Sequence, residues 1–306
     1  MVRGFVMALL SVGCAEQVVL FDSPPESVTL APSQQHTVAL VEGGLVGWGS
    51  NAAGQLGALD GDAMVQDPIP IDAGPWEEVH AGRVTTCAVD SQAQVFCRGG
   101  NEFGQLGIGD TVDRDFFVQV PLPQPVAKFV TRYSHSFALL VTGELWVWGR
   151  NTERQADPTN FENVLTPQRF DDQQWRDIAP GQGHSCGIAD DGSLYCWGRN
   201  NLGQCGVGED IPNTLPTRVD LPGPALRVEA EQNHSCVRLE TGELWCFGAN
   251  EFGELGDGTA VDRFEPVRSA AGDEFVAVDL GTFNTEQRHH KTPDHGRKIA
   301  GGTRDS

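Results

Sequence analysis

Three pairs of cysteines have a spacing that suits disulfide chemistry. The two thiols of each pair are ten residues apart, and the pairs are Cys87 and Cys97, Cys186 and Cys196, and Cys236 and Cys246. Between Cys186 and Cys196 the sequence GIADDGSLY predicts a hairpin with the three-residue loop 190–192, with glycine in its third, left-handed place. Opposed residues of such a hairpin have Cα atoms about 4.5–5.5 Å apart, a separation that a disulfide accepts.

Two interpretations of these pairs stay open. Cross-strand disulfides would place the protein in an oxidising compartment, whereas buried, reduced thiol pairs would suit the cytosol. The same hairpin count sets Cys236 opposite Cys246, and it sets Cys87 opposite Cys97 with Ala93 in the glycine place. Two further segments of the same pattern lack both cysteines together. This joint presence or absence, with the apolar leader described next, favours disulfides.

The remaining two of the eight cysteines are Cys14 and Cys205. Cys14 ends the leader MVRGFVMALLSVGC, in which one arginine precedes a short apolar run, so residues 1–14 predict an export signal. The ending resembles a bacterial lipoprotein signal with a lipidated cysteine, although leucine stands four places before Cys14 rather than three. An ordinary cleaved signal or a misassigned start codon is the alternative. We expect an exported protein, lipid-anchored in the cell envelope or extracellular, with Cys205 in its core.

Histidine opens four of the five segments of this pattern. These histidines are His36, His135, His184 and His234. Because they lie about 50 or more residues apart in separate structural units, they are not expected to converge on one metal ion, and we interpret them as hydrogen-bonding groups at the start of a strand.

The acidic stretches ALDGDAMVQD, GIGDTVDRD and GDGTAVDRF resemble calcium loops but lack the spaced carboxylates of a known site. They are better explained as Asp and Thr side chains that cap turns. The sequence also lacks a nucleophile elbow, a phosphate loop and zinc-ligand spacing. We therefore expect no catalytic, cofactor or metal site, although an enzyme whose residues come from separate loops is an alternative.

A repeat organises the whole chain. Five segments that begin at His36, Thr85, His135, His184 and His234 align, and their starts are 49 or 50 residues apart. Each repeat holds about four short strand-like pieces separated by turns, and helical periodicity is missing after the leader. This period and composition predict an all-β protein, a β-propeller of four-stranded blades with five clear blades.

The second strand of each predicted hairpin ends in an aromatic residue and glycine in four repeats, which are Trp48-Gly49, Trp148-Gly149, Trp197-Gly198 and Phe247-Gly248. In the second repeat Arg98 replaces the aromatic residue, and in the third Arg154 stands where the next turn expects glycine, so that turn is either rebuilt or strained. The string Trp-Gly-x-Asn-x-x-Gly-Gln-Leu-Gly resembles the regulator of chromosome condensation repeat family rather than kelch propellers, from about residue 17 to residue 284. This resemblance implies a propeller, usually of seven blades.

The chain ends break the pattern. Residues 273–284 match the first strand of a sixth unit, but no hairpin follows, and residues 17–22 match a last strand that would pair with the C-terminal strands. We therefore expect an incomplete sixth blade. The domains are then the leader 1–14, the propeller 17–285 and a basic tail 286–306, which is either a frameshifted end or a natural disordered extension.

The net charge of −21, with a pI near 4.6, disfavours binding to nucleic acid through a basic face. The resembling family includes nucleotide-exchange factors, ligase-associated modules and a secreted inhibitor of β-lactamases. We expect a non-enzymatic scaffold that binds a protein partner through its blade loops, with membrane contact only through a lipid anchor. The alternatives are a guanine-nucleotide exchange factor for a small GTPase, whose projecting wedge the regular spacing leaves no room for, and a secreted enzyme inhibitor.

Overall fold

Five four-stranded antiparallel sheets make up most of the described part of the chain. The computed structural model describes residues 28–58, 63–208 and 211–270, and only the backbone of four strands nearer the chain ends. In each sheet the strands neighbour one another in sequence order. This confirms the predicted all-β architecture with five blades. Within the described residues no helix has the length and apolar character needed to span a bilayer.

The strands are named in chain order. Those of the first three blades are β3 Val28–Pro32, β4 His36–Val41, β5 Gly44–Ser50, β6 Met64–Asp72, β7 Trp76–Ala81, β8 Thr85–Asp90, β9 Val95–Gly99, β10 Arg114–Gln119, β11 Val126–Arg132, β12 His135–Leu140, β13 Leu145–Gly149 and β14 Val164–Arg169. Those of the fourth and fifth blades are β15 Trp175–Pro180, β16 His184–Ala189, β17 Leu194–Arg199, β18 Asn213–Arg218, β19 Ala225–Ala230, β20 His234–Leu239, β21 Leu244–Gly248 and β22 Arg263–Arg268.

The first strand of each blade contacts the first strand of the next, so these strands lie around the common axis. The core lies between the sheets. Trp148, Phe129 and Phe137 of the third blade and Trp197 of the fourth belong to one buried cluster. A single four-stranded sheet leaves both faces open, and stacking against neighbours buries them.

The predicted hairpin register is confirmed. Cys186 pairs with Cys196, and Ile188 lies opposite Leu194, as expected for a three-residue loop. The loop between them closes through a bond from the N–H of Gly192 to the carbonyl of Ala189, 2.9 Å long, and Gly192 has a φ of +86°. A three-residue loop with a left-handed third residue therefore sets this register.

All three cysteine pairs form disulfides. The bonds are Cys87–Cys97, Cys186–Cys196 and Cys236–Cys246, each joining Cα atoms 4.1 Å apart, slightly closer than the range expected from sequence. Cys205 is a free, buried thiol in the core, as predicted, and burial raises its pKa above the usual range.

Two turns keep their form without glycine. Ala93 takes the third loop place of the second blade at a φ of 56°, and Arg154 takes a left-handed φ of 61°. The N–H of Arg154 still donates to the carbonyl of Asn151, at 3.0 Å, so of the two predicted alternatives the turn is strained rather than rebuilt. The guanidinium of Arg154 lies 4.2 Å above the ring of Phe161, which holds the side chain in place.

Two-stranded sheets lie near both ends of the chain. Strand β1, Val6–Val12, pairs with β2, Ala15–Phe21, and β23, Phe275–Gly281, pairs with β24, Asn284–His289. The expected pairing of the N- and C-terminal strands is therefore wrong, because β1 is the partner closest to β2 in sequence and closing so short a connection costs little entropy. The predicted tail boundary at residue 285 falls inside β24, and residues 290–306 lie outside the described part, as does Cys14.

Candidate interaction surface

The repeated histidines connect neighbouring blades. The Nε2 atoms of His135 and His184 lie 3.2 Å and 2.8 Å from the hydroxyls of Ser185 and Ser235, one blade further along the chain. Both hydroxyls donate their hydrogen to a carbonyl oxygen of the preceding blade. Each therefore accepts the Nε2–H of its histidine, which fixes the imidazole tautomer.

His36 makes the same kind of contact, with its Nε2 3.0 Å from the hydroxyl of Thr86. In the fifth blade the Nε2 of His234 is buried and has no hydrogen-bond partner within the described residues. Burial lowers the pKa of His36 and His234 to about 4 and that of His135 and His184 to about 3. These histidines are therefore uncharged at neutral pH. Three of them, His36, His135 and His184, hydrogen-bond the next blade through Nε2, in line with the structural interpretation, and His234 does not.

A second link crosses each junction through a main-chain carbonyl. The indole N–H groups of Trp148 and Trp197 donate over 3.0 Å to the carbonyl oxygens of Gln105 and Gln155 in the preceding blade. A Cβ on Gly107 would lie only 2.9 Å from the Trp148 ring, so the glycine at the end of the Gln-Leu-Gly motif makes room for the aromatic residue.

The other aromatic-glycine positions behave similarly. Phe247 is fully buried in the same place, where it fills the junction without an N–H, and Trp48 of the first blade is also buried. Gly149 has a φ of +99°, and a Cβ there would lie 2.5 Å from the carbonyl oxygen of Ser134. The glycines of the repeat, which are Gly49, Gly149, Gly198 and Gly248, all share this left-handed conformation.

Sequence reasoning missed the groups on neighbouring blades that accept hydrogen bonds from the histidines and tryptophans. The hydroxyls of Thr86, Ser185 and Ser235 each follow the first residue of their repeat, and this recurrence in the sequence was a usable signal. The Gln carbonyls had no such signal, because a main-chain oxygen does not depend on the side chain.

Asparagine side chains shape the loops between the third and fourth strands. Asn101 Oδ1 accepts the N–H of Leu106 at 2.9 Å, and its Nδ2 donates to the carbonyl of Asp110 at 2.8 Å. Gln105 Oε1 accepts the N–H of Phe103 at 2.9 Å. Equivalent bonds to Asn151, Asn200 and Asn250 repeat this arrangement in the later blades. The buried Asn and Gln side chains of the repeat motif therefore fix the backbone of these loops.

The acidic residues of GIGDTVDRD and GDGTAVDRF cap turns, as the sequence predicted, whereas ALDGDAMVQD includes residues 59–62, which lie outside the described residues. Asp110 Oδ1 accepts the N–H of Val112 at 2.9 Å, and its other oxygen pairs with Arg114 at 2.6 Å. Asp257 pairs with Arg263 at 2.7 Å and accepts the hydroxyl of Thr259. Hydrogen bonds to Thr259 and Arg263 outweigh burial and lower the pKa of Asp257 to about 2. Within residues 28–58, 63–208 and 211–270, His, Cys, Asp and Glu side chains form no cluster of three with metal-binding geometry.

These loops also present apolar side chains to solvent. We define the loop face as residues 100–113, 150–163 and 249–262, which connect the third and fourth strands of three blades and lie at the same end of the sheets. On it Val112 is 60% exposed, Phe161 50% and Val261 59%. The same residues carry ten carboxylates and two arginines, so the loop face is strongly acidic around its apolar side chains.

A cavity of about 550 Å³ lies on the axis between the inner strands β7, β11, β15 and β19. Its charges are matched internally. Lys128 forms an ion pair with Asp177, Arg132 forms one with Glu231, and Glu78 accepts a bond from His80. The first two pairs join the third blade to the fourth and fifth blades, whereas Glu78 and His80 lie on the same strand, β7. The cavity charges are therefore largely paired with one another and leave little surplus for a ligand.

The chain matches known proteins along most of its length. A family model described as an RCC1-like domain matches residues 14–285. The ultraviolet-B receptor UVR8 of Arabidopsis thaliana is 29% identical over 201 residues, which is 63% of this chain and 46% of the receptor. The X-linked retinitis pigmentosa GTPase regulator of Mus musculus is 36% identical over 148 residues, 46% of this chain and 15% of the regulator. The chain thus spans less than half the length of either relative.

Solved structures share the fold. Human WBSCR16 superposes with a TM-score of 0.76 at 19% identity, covering 85% of this chain and 71% of that protein. Yeast RCC1 (Prp20), solved bound to Kap60, superposes with a TM-score of 0.73 at 22% identity, covering 83% of this chain and 66% of that protein. These identities support the architecture alone. Because the family model covers residues 14–285, the resemblance found in the sequence is confirmed, and the chain belongs to the RCC1-like domain family of β-propellers.

Proposed function

We propose that this propeller is a non-enzymatic interaction module that binds a protein partner through the loop face. The observation that carries the proposal is the exposure of Val112, Phe161 and Val261 on loops whose backbone is fixed by buried asparagines. Apolar side chains that stay in water on a rigid frame lose little entropy when a partner covers them. The surrounding carboxylates favour a partner with a complementary, basic surface.

Relatives of the same fold support a binding role. Yeast RCC1 (Prp20) is known in a structure bound to Kap60, and the yeast protein is described as binding Gsp1p and histones. Such fold-level analogy supports protein binding in general and no particular partner.

The direct test is capture of partners from the source cells with variants of single exposed residues. We expect Val112→Glu and Phe161→Glu to lose a partner that the unmodified protein retains, because each replaces an exposed apolar side chain by a charge that the contact would have to bury. Val141 is equally exposed but lies in a hairpin turn at the opposite end of its sheet. Val141→Glu should therefore bind normally, and equal binding by all three variants would contradict the proposal.

A second candidate is regulation of a small GTPase. It is favoured by the identity to the mouse GTPase regulator over 148 residues. The connections between described blades are short, with residues 73–75, 120–125 and 170–174 joining successive sheets, so they provide no projecting wedge. Release of a fluorescent guanine nucleotide from small GTPases tests this candidate, and catalysed release would replace the scaffold proposal.

We also propose that the protein is exported, either anchored by a lipid on Cys14 or released from the cell. In the released form, the loop face would serve to inhibit a secreted enzyme. Three disulfides in one domain support an oxidising compartment. Fractionation of the source cells, with Cys14→Ala as the control for lipidation, tests this. A cytosolic protein would contradict it.

A further inference from the structure

The outermost strand of each blade is an open sheet edge. In the five described blades these strands are β6, β10, β14, β18 and β22. An open edge offers unpaired N–H and C=O groups to any extended chain, and soluble proteins commonly block it with proline.

Four of the five outer strands carry proline at one equivalent place. In each of these strands the proline comes immediately before the residue that pairs with the middle residue of the third strand of the same blade. The prolines are Pro68, Pro167, Pro216 and Pro266. In β10 the residue is Phe117, which precedes Val118, the partner of Cys97. Proline has no N–H, yet in these four blades the third and fourth strands remain paired. The pairing therefore does not use a backbone N–H at this position. The N–H of Phe117 therefore points away from β9 and is available to a further strand.

The surroundings of Phe117 fix the edge in place. Its ring packs at 4.9 Å from the ring of Trp76, and the guanidinium of Arg98 lies 4.4 Å above it. The neighbouring Phe116 is 60% exposed. The β10 edge thus combines a fixed backbone, a free donor and an apolar side chain in solvent.

The charge of the β10 edge selects a partner. Asp113 and Asp115 are exposed on either side of Arg114, whose own charge is matched by Asp110 at 2.6 Å. With three carboxylates, Asp110, Asp113 and Asp115, against the two guanidinium groups of Arg98 and Arg114, the local surplus is one negative charge. A basic peptide therefore gains attraction and an acidic one is repelled.

We propose that the β10 edge binds an extended basic peptide segment of a partner protein as a fifth strand of the second blade. Main-chain bonds to residues 117–119 give the affinity, and an apolar side chain of the peptide packs on Phe116. Because the bulge between Arg114 and Val118 limits the paired length, we expect a dissociation constant of roughly 10–100 μM. The backbone and the Phe116 side chain that bind the peptide lie outside the loop face, although Asp110 and Asp113 belong to it, so the proposal does not depend on the proposed function.

The test is an NMR titration of the whole protein with the synthetic peptide Lys-Val-Thr-Val-Lys-Val-Lys. We expect shifts of the amides of Phe117, Val118 and Gln119, and slower hydrogen exchange of the Phe117 amide. Phe117→Pro restores the proline of the other blades and should weaken binding at least tenfold. Phe116→Lys, at an exposed position that does not endanger folding, should do the same. Val261→Lys, at an equally exposed place on the loop of the fifth blade, is the matched control and should bind normally.

Three outcomes would overturn the proposal. One is wild-type affinity in Phe116→Lys, and another is equal affinity for the peptide with Glu in place of Lys. The third is a concentration-dependent dimer, seen by sedimentation and lost in Phe116→Lys, which would make a second copy of this chain the occupant.

Discussion

The Nε–H of Arg98 donates to the carbonyl oxygen of Gln55 over 3.2 Å, in the place where two other blades use an indole N–H. The sequence shows only that an aromatic residue is missing there. The arginine keeps the junction bond, and its guanidinium stacks on Phe117 at 4.4 Å. Burial lowers the pKa of Arg98 to about 10, against the opposing effect of Asp72 and Asp115, so the side chain stays a cation at neutral pH. The second blade therefore closes its junction with a charged group.

This substitution predicts how the junction responds to mutation. Arg98→Ala removes the bond, the stacking and buried volume, and leaves the Gln55 carbonyl unpaired, so we expect the free energy of unfolding to fall by about 2–4 kcal/mol. Arg98→Trp restores the residue used in other blades and should cost less than about 1 kcal/mol. Urea unfolding measures both values. A loss as large for tryptophan as for alanine would show that the equivalence is wrong.

The buried histidines predict a pH dependence. The pKa of His184 is lowered to about 3, mainly by burial and also by Arg199, His234 and His135. Below about pH 6.5 the unfolded chain takes up a proton that the folded state refuses until about pH 3. Stability is therefore complete above pH 6.5 and falls as the pH drops, by up to about 1.4 kcal/mol per pH unit for each such histidine.

The measurement compares His184→Gln with the unmodified protein in urea unfolding between pH 7.5 and 5. The variant is less stable at pH 7.5 but should show a shallower loss toward pH 5, because one titrating group is gone. Identical slopes for the two proteins would mean that His184 titrates normally in the folded state.

The disulfides predict a loss on removal. Replacing Cys186 by Ala together with Cys196 by Val opens a ring of about eleven residues and should lower the free energy of unfolding by about 2.5–3 kcal/mol. Mass spectrometry of the unreduced protein should give a mass about 6 Da below that of the fully reduced chain, because three bonds each remove two hydrogens. An unchanged mass on reduction would contradict the three bonds.

Two matched hairpin turns predict effects of opposite sign. Ala93 has a φ of 56°, so Ala93→Gly relieves the strain of a left-handed conformation. The lost Ala93 Cβ contact and the greater backbone entropy of glycine in the unfolded chain oppose this gain, so we expect a net stabilisation of about 0.5 kcal/mol. Gly192→Ala introduces that strain and sets a Cβ 2.8 Å from Pro224, so a loss of about 1–2 kcal/mol is expected. Thermal unfolding of both variants checks the signs, and destabilisation by Ala93→Gly would contradict the reasoning.

Sequence spacing was sufficient for structure within a blade. The left-handed third residue of the loop, Gly192 in the fourth blade and Ala93 in the second, sets the hairpin register, and this register brings Cys186 to Cys196. Spacing was insufficient between blades. His135 meets Ser185 50 residues away, and Arg98 meets Gln55 43 residues away, through faces that come together only after the sheets stack. The exposed apolar side chains of the loop face were likewise invisible, because solvent exposure depends on that stacking.

The junction bonds that involve histidine, tryptophan and Arg98 follow one pattern with respect to the chain direction. A histidine of one blade donates to a hydroxyl of the next, and an indole or guanidinium of the later blade donates back to a carbonyl of the earlier one. The face of each sheet toward the preceding blade consequently carries different hydrogen-bonding groups from the face toward the following blade, and the two faces are not interchangeable. A tandem duplication of about 50 residues inserts a unit that fits both neighbours at once, whereas a reversed unit fits neither. Gain or loss of a whole blade therefore keeps the same kinds of donor and acceptor facing each other at the new junction.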